Sequence, residues 1–103
     1  MPTRRVPISD DELLLMAAAF KAMGDPSRLR ILRVLMVHEL CVGEVAQRTG
    51  LSHANTSKHL ALLRDARLVS FVRVGNSKRF HLCSNLVPQL CAMLGRSMHT
   101  EDR

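Results

Sequence analysis

The residues of this chain best suited to chemistry fall into two sets, and neither is the equipment of an enzyme. One is a crowd of polar side chains at the head of the stretch LSHANTSKHLALLRDARLV (51–69). Ser52, His53, Asn55, Ser57 and Lys58 come first, and Arg64 and Arg67 follow. The other set is three cysteines, Cys41, Cys83 and Cys91. Within the first stretch Thr56, Leu60 and Leu63 recur at i, i+4 and i+7, which predicts one buried helical stripe with Ser52 as its N-cap. Short polar groups on the remaining face permit close approach to a partner, where a long acid or a bulky apolar side chain would block it. A helix anchored on one side and polar at its leading end suits the major groove of DNA; the same pattern also fits an ordinary amphipathic surface helix. His38, Glu39 and Cys41 lie close in sequence, but no nucleophile–base–orienter set, phosphate loop or complete metal motif accompanies them, so no enzyme is expected.

Charge favours the DNA reading. The chain has 103 residues, enough for one domain with a limited core, and a formal net charge of +6. From Val45 to Leu82 the basic residues are Arg48, Lys58, Arg64, Arg67, Arg73, Lys78 and Arg79, against the single acid Asp65. A sequence pI of about 10.3 points the same way, toward a polyanionic partner. Apolar residues make up 47% of the chain, and only Phe20, Phe71 and Phe80 supply aromatic rings, so the core must be mainly aliphatic. No apolar run approaches the roughly 20 residues needed to span a bilayer, and MPTRRVPISDD is not a secretory signal. A cytoplasmic protein with reduced thiols is expected.

The elements that must position these groups can be taken in order. Residues 1–8, with Pro2 and Pro7, predict a flexible arm; 9–98 the domain; 99–103 a tail. Ser9 and Glu12 form an S-x-x-E capping box, reinforced by Asp10 and Asp11. The helix they start runs to about Met23 and is apolar nearly all round, more than a small domain can bury. Asp25 caps a second helix with Pro26 at its first position and Leu29, Leu32 and Leu35 or Met36 facing inward. Arg28, Arg30 and Arg33 cover its outer, solvated side. A short helix from about Val42 to Arg48 ends at Thr49-Gly50, where positive φ is available, and the stretch at Ser52 begins at once. Val45 and Leu51 hold this pair together as a helix-turn-helix. After Val69 the period becomes alternating: Val72 and Val74 flank Arg73, Gly75-Asn76 turns, and Phe80 and Leu82 alternate with Arg79 and His81. This is a β-hairpin whose tip and exposed face carry Arg73, Lys78 and Arg79, a basic wing. Ser84 or Asn85 starts a last helix with Pro88 in its first turn and a stripe of Leu86, Leu90 and Met93 or Leu94. The expected fold is mainly α with a hairpin wing, in the order α-α-α-α-β-β-α: a winged helix-turn-helix.

Laid out this way, the sequence resembles the ArsR/SmtB family of bacterial transcriptional repressors over about residues 13–95. The motifs are FKAMGDPSRLRILRVL (20–35), ELCVGEVAQRTGLS (39–52), SKHLALLRDARLV (57–69) and FVRVGNSKRFHL (71–82). The resemblance implies a homodimer through the first and last helices, presenting two reading heads to an inverted-repeat operator. By position, Ser52, His53, Ala54, Asn55 and Ser57 are DNA-binding candidates; His53, Ala54, Asn55 and Ser57 meet base edges, and Asn55 can pair bidentately with adenine. Lys58, Arg73, Lys78 and Arg79 contact phosphate, and His59, at the family's S-x-H-L position, packs helices or bonds phosphate. The family usually has Gly where this chain has Arg67. Either the turn differs, or Arg67 accepts a strained left-handed conformation in exchange for a phosphate contact.

Sensing chemistry is less determined. The soft-ion thiolate pair C-x-C of some relatives is here Cys41-Val42-Gly43, half of it missing. Zinc-type positions on the last helix are Ser84, Leu86, Ser97 and Thr100, none a credible ligand, and His99 alone does not restore a site. No cofactor is required. Cys41 could bind arsenite or another soft metal(loid) with Cys83 or Cys91, from one or both protomers. Two of the thiols could instead form a disulfide or polysulfide link, although Cys83 and Cys91 of one chain would lie about 12 Å apart, too far for a direct pair, if the stretch between them is helical. All three could also be buried small hydrophobes. The competing function is an effector-independent or architectural DNA-binding protein with structural cysteines.

Overall fold

In the computed structural model, which describes residues 7–99, each helix starts where a side chain can cap it. The elements are α1 (Asp10–Met23), α2 (Pro26–Leu35), α3 (Val42–Thr49), α4 (His53–Asp65), β1 (Val69–Val74), β2 (Ser77–Leu82) and α5 (Leu86–His99). This is the expected winged helix-turn-helix order. Ser9 Oγ accepts the Glu12 amide while Glu12 Oε1 accepts the Ser9 amide, completing the capping box. Asp25 accepts the Arg28 amide at 3.0 Å and Ser52 the Asn55 amide at 3.1 Å. Gly50 closes α3 at φ 76°, the left-handed conformation expected of it. Of the expected arm, Pro7 and Ile8 are exposed and outside any element; residues 1–6 lie outside the described residues, as do residues 100–103 of the expected tail. The last helix continues through His99, one residue past the expected end of the domain.

The core gathers Ile31, Leu32 and Leu35 from α2, Val45 from α3, Leu60 and Leu63 from α4, Val69 and Phe80 from the hairpin and Val87 from α5. Each such side chain contributes roughly 1.5–3 kcal/mol of hydrophobic stabilisation. Thr56, the buried polar residue, donates its hydroxyl to the Ser52 carbonyl at 2.8 Å and so costs little. The hairpin pairs Val74 with Ser77, Arg73 with Lys78, Val72 with Arg79 and Phe71 with Phe80. Its loop has positive φ at Gly75 (63°) and not at Asn76, the pattern of a type II′ turn. The hairpin is held to the helices through its second strand: Phe80 and Leu40 exchange both backbone hydrogen bonds, at 2.8 and 3.1 Å.

Two expectations about packing, those for Leu29 and Arg28, need correction. Leu29 is exposed rather than inward; at about 100° per residue it lies roughly 160° round the helix from Ile31, which is fully buried. Arg28 is not a solvated residue, because its Nε and Nη2 donate to the carbonyls of Ala22 and Lys21 and cap the end of α1. The anchor of α5 is Val87, with Leu90 half-buried, while Leu86, Met93 and Leu94 face away from the protomer. Along α1 only Ala22 and Met23 are buried, and Leu13, Leu14, Leu15, Met16 and Phe20 are exposed. Two helices thus carry apolar faces that the protomer leaves uncovered.

Candidate nucleic-acid interface

The polar face of α4 is held outward by the burial of its opposite side. Thr56, Leu60 and Leu63 are buried, as their spacing requires, whereas Ser52, His53, Ala54, Asn55, Ser57 and Lys58 are exposed. These six residues form the leading turn and a half of the helix. The Asn55 backbone amide is bonded to Ser52, and its side chain is exposed toward solvent. Beside this turn an open groove of about 340 Å³ runs between Cys41–Gly43, His53 and the tip of the hairpin at Asn76–Lys78. Wing and helix flank one surface.

His59 does not share that surface. It is half-buried and close enough to Asp25 to help hold that carboxyl below its ordinary range, after the larger effect of the Arg28 amide. Its place is the contact between α4 and the start of α2.

Arg67 keeps the left-handed conformation, with φ 65°, the one positive φ among the described residues that are not glycine. Around it the Arg67 amide donates to the Arg64 carbonyl and the Leu68 amide to the Leu63 carbonyl, both at 2.9 Å. That is a Schellman termination, with Leu63 and Leu68 both buried as its apolar contact. The turn is therefore the one a glycine would make, at a cost of about 1–2 kcal/mol for the side chain.

The hairpin divides its basic residues between two faces. Arg73 and Lys78 are cross-strand partners on the face that carries Phe71 and Phe80; Arg79, one residue on from Lys78, must point the other way. There its guanidinium donates to the Glu39 carbonyl at 3.1 Å, tying the wing to the loop before α3. A single basic face bearing all three is thus not what forms. Alternation with period two allows only two of them together.

The thiols are set in three different places. Cys41 is the N-terminal flank of α3, and Glu44 Oε1 accepts both its amide (3.0 Å) and its Sγ–H (3.1 Å). The carboxylate beside it, with a smaller effect of burial, pushes the Cys41 thiol up from its ordinary range, and the Cys41 donors hold Glu44 down. Cys91 is half-buried and lines an apolar groove with Leu29, Arg33 and Met36. Cys83 is exposed, so the reading of all three as buried hydrophobes fails there. None is in a disulfide, and no cluster of three or more His, Cys, Asp or Glu among the described residues is arranged to hold a metal ion. Ser84 Oγ accepts the Leu86 amide and serves the start of α5. Among the described residues no helix is long and apolar enough to cross a membrane.

Sequence reasoning missed Phe71, around which Arg64, Arg73 and Lys78 gather at 4.5, 6.0 and 4.8 Å from the ring centroid. The signal was present in the two-residue turn: Gly75-Asn76 forces 73 opposite 78 and 71 opposite 80.

Comparison with known proteins agrees with this geometry. Residues 25–70 match the bacterial regulatory protein, arsR family. The chain is 40% identical over 95 residues to the transcriptional repressor SmtB homolog of Synechocystis sp., covering 92% of this chain and 72% of that one. The crystal structure of NolR from Sinorhizobium fredii superposes with a TM-score of 0.76 at 33% identity, covering 89% of this chain and 95% of the other. The homodimeric winged helix-turn-helix DNA-binding domain of Mb0332 from Mycobacterium bovis shares the fold, with a TM-score of 0.83 at 24% identity and coverage of 92% and 94%.

Proposed function

The chain belongs to the ArsR family of bacterial regulatory proteins, a DNA-binding transcriptional regulator, and from that premise we propose that it represses transcription by occupying an inverted-repeat operator as a homodimer. The observation that carries this is the leading turn of α4: polar, exposed and backed by a buried stripe, with a basic wing beside it. His53, Ala54, Asn55 and Ser57 read base edges. Ser52, Lys58, Arg67, Arg73 and Lys78 hold the phosphate backbone, whereas Arg79, bonded to the Glu39 carbonyl, and His59, packed near Asp25, serve the scaffold behind them. The uncovered apolar faces of α1 and α5 support pairing with a second copy, as in the homodimeric domain that shares the fold. Twofold symmetry then sets two reading heads one helical turn of DNA apart.

Release follows from an effector that favours a dimer shape whose heads no longer match the site. For this chain a thiol-reactive effector fits, either a soft metal(loid) such as arsenite or an oxidant or sulfane sulfur. Cys83 is the exposed thiol, and, since no three such donors come together among the described residues of one protomer, a three-coordinate metal(loid) site on Cys41, Cys83 or Cys91 would draw on both protomers. The bonding of Cys41 to Glu44 favours a second reading of that residue alone, as a structural cap of α3.

The test is a competition assay. A fragment of the protein's own promoter should outcompete mixed-sequence duplex by roughly 10³-fold or more, and Asn55→Ala should reduce that preference at one base position. Equal competition would establish an architectural protein instead. Release by arsenite, peroxide or polysulfide is then compared in wild type, Cys41→Ser and Cys83→Ser. A response that survives both substitutions removes these two thiols from the mechanism.

A further inference from the structure

Arg64, at the last turn of α4, and Arg73 and Lys78, on the two strands of the wing, all converge on the ring of Phe71. The ring is itself fixed, half-buried and packed on Phe80 with centroids 5.3 Å apart and planes at 55°. None of the three cations makes an ion pair with an acid among the described residues. Two of them, Arg73 and Lys78, stand directly opposite each other across the hairpin, and like charges in that position destabilise a sheet. The π-face of Phe71 offsets part of that repulsion and draws the third cation in from another element. An anion of matching charge density would relieve the rest. The opening it would enter is a small groove of about 140 Å³ between α4 and the wing, walled by Ser57, Ala61 and Arg64 on one side and Phe71 and Lys78 on the other. Ser57 places that opening next to the base-reading turn.

We propose that Arg64, Arg73 and Lys78 form a phosphodiester-binding subsite at the junction of α4 and the wing, with Phe71 as the residue that positions all three. The inference rests on the DNA-binding reading above and adds to it two residues, Arg64 and Phe71, to which the resemblance assigns no contact with DNA. Its occupant is a backbone phosphate of the duplex lying between the groove read by α4 and the one flanked by the wing. Contacts of this kind add affinity and register without reading sequence.

The decisive property is that Phe71 bears no charge. Affinity of the purified protein for a mixed-sequence duplex of about 30 base pairs is measured by fluorescence anisotropy between 50 and 200 mM salt. Arg64→Gln should weaken binding roughly tenfold and flatten the plot of log affinity against log salt by about 0.9 per protomer. Phe71→Leu should also flatten that slope although it removes no cation, and Phe71→Tyr, which keeps the ring, should restore it. Thermal melting identifies any loss of fold in Phe71→Leu, while Arg64→Gln and Phe71→Tyr leave the core intact and keep the question answerable. Wild type without salt-dependent affinity for the duplex would sink the DNA-binding reading, and this subsite with it. Wild type that binds, with Arg64→Gln unchanged in affinity and slope, overturns the subsite alone. A slope equally flattened in Phe71→Leu and Phe71→Tyr overturns the positioning role of the ring.

Discussion

Two surfaces of this small domain are built by opposite rules. On the side of α4 and the wing, Leu60 and Leu63 are buried almost completely and the leading turn of α4 faces outward with short polar or basic groups, the exposed aliphatics there being the scattered Leu62, Val72 and Val74. On α1 and α5, Leu14 is 71% exposed and Met93 59% exposed, and the outward residues are leucines, methionines and a phenylalanine. Hydrophobic patches of that extent mark an interaction surface, so the apolar residues of the chain serve two cores, one closed within the protomer and one left open. The polar surface can be aimed at a ligand because the closed core fixes it; the open surface is where a second chain belongs.

That contrast can be broken outright. Leu14→Glu with Met93→Glu should convert a sedimenting dimer to monomer and lower affinity for an inverted-repeat duplex by at least about 100-fold, since two linked heads bind far better than one. An unchanged sedimentation coefficient would show that the open face is not the dimer contact. A smaller effect sharpens the contrast. Leu63→Ala should cost about 2–5 kcal/mol in urea unfolding at any protein concentration, whereas the cost of Leu94→Ala should grow as the protein is concentrated. Smaller again is Arg67→Gly, which relieves the left-handed strain. It should stabilise the fold by about 1 kcal/mol and weaken binding to all duplexes alike. Unchanged affinity and salt slope would leave Arg67 a strained residue with no contact to show for it.

The smallest effect concerns the cap of α3. Glu44 is held below its ordinary 4.5, so its contribution is fully present above that value and is lost as pH falls through the lower folded-state value. Cys41 is held above its ordinary 9.0, so it stays a neutral thiol through the physiological range and should alkylate more slowly than Cys83 at pH 7.5. Glu44→Gln should speed Cys41 several-fold without altering Cys83. Equal rates in the unmodified protein would contradict the observed Cys41–Glu44 bond.

What could be read from the sequence was what is local. The capping box of Ser9 and Glu12, Pro26 after Asp25, Gly50 and the Gly75-Asn76 turn act within three or four residues of themselves, and each forms as expected. The exposed polar turn of α4 was legible for the same reason, because one helix's spacing decides both its faces. The Arg79 bond to Glu39, 40 residues away, left no such mark, nor did the capping of α1 by Arg28. Leu29 looked inward because a three-residue spacing to Leu32 is common to a stripe and to its edge. The cations around Phe71 lay between these cases: their register follows from the turn, but the arrival of Arg64 depends on how α4 packs against the sheet.

The exchange of hydrogen bonds between Leu40 and Phe80 has a mechanical corollary. A lone pair of strands is barely stable in water, yet this one is stitched at its root to the segment leading into α3 and is free at Gly75. Amide hydrogens at the root should exchange with solvent as slowly as those of the helical body, and those at the tip as fast as in a loop. The wing is then a flap with a clamped base, which can bend to follow the contour of a duplex while its point of attachment stays still.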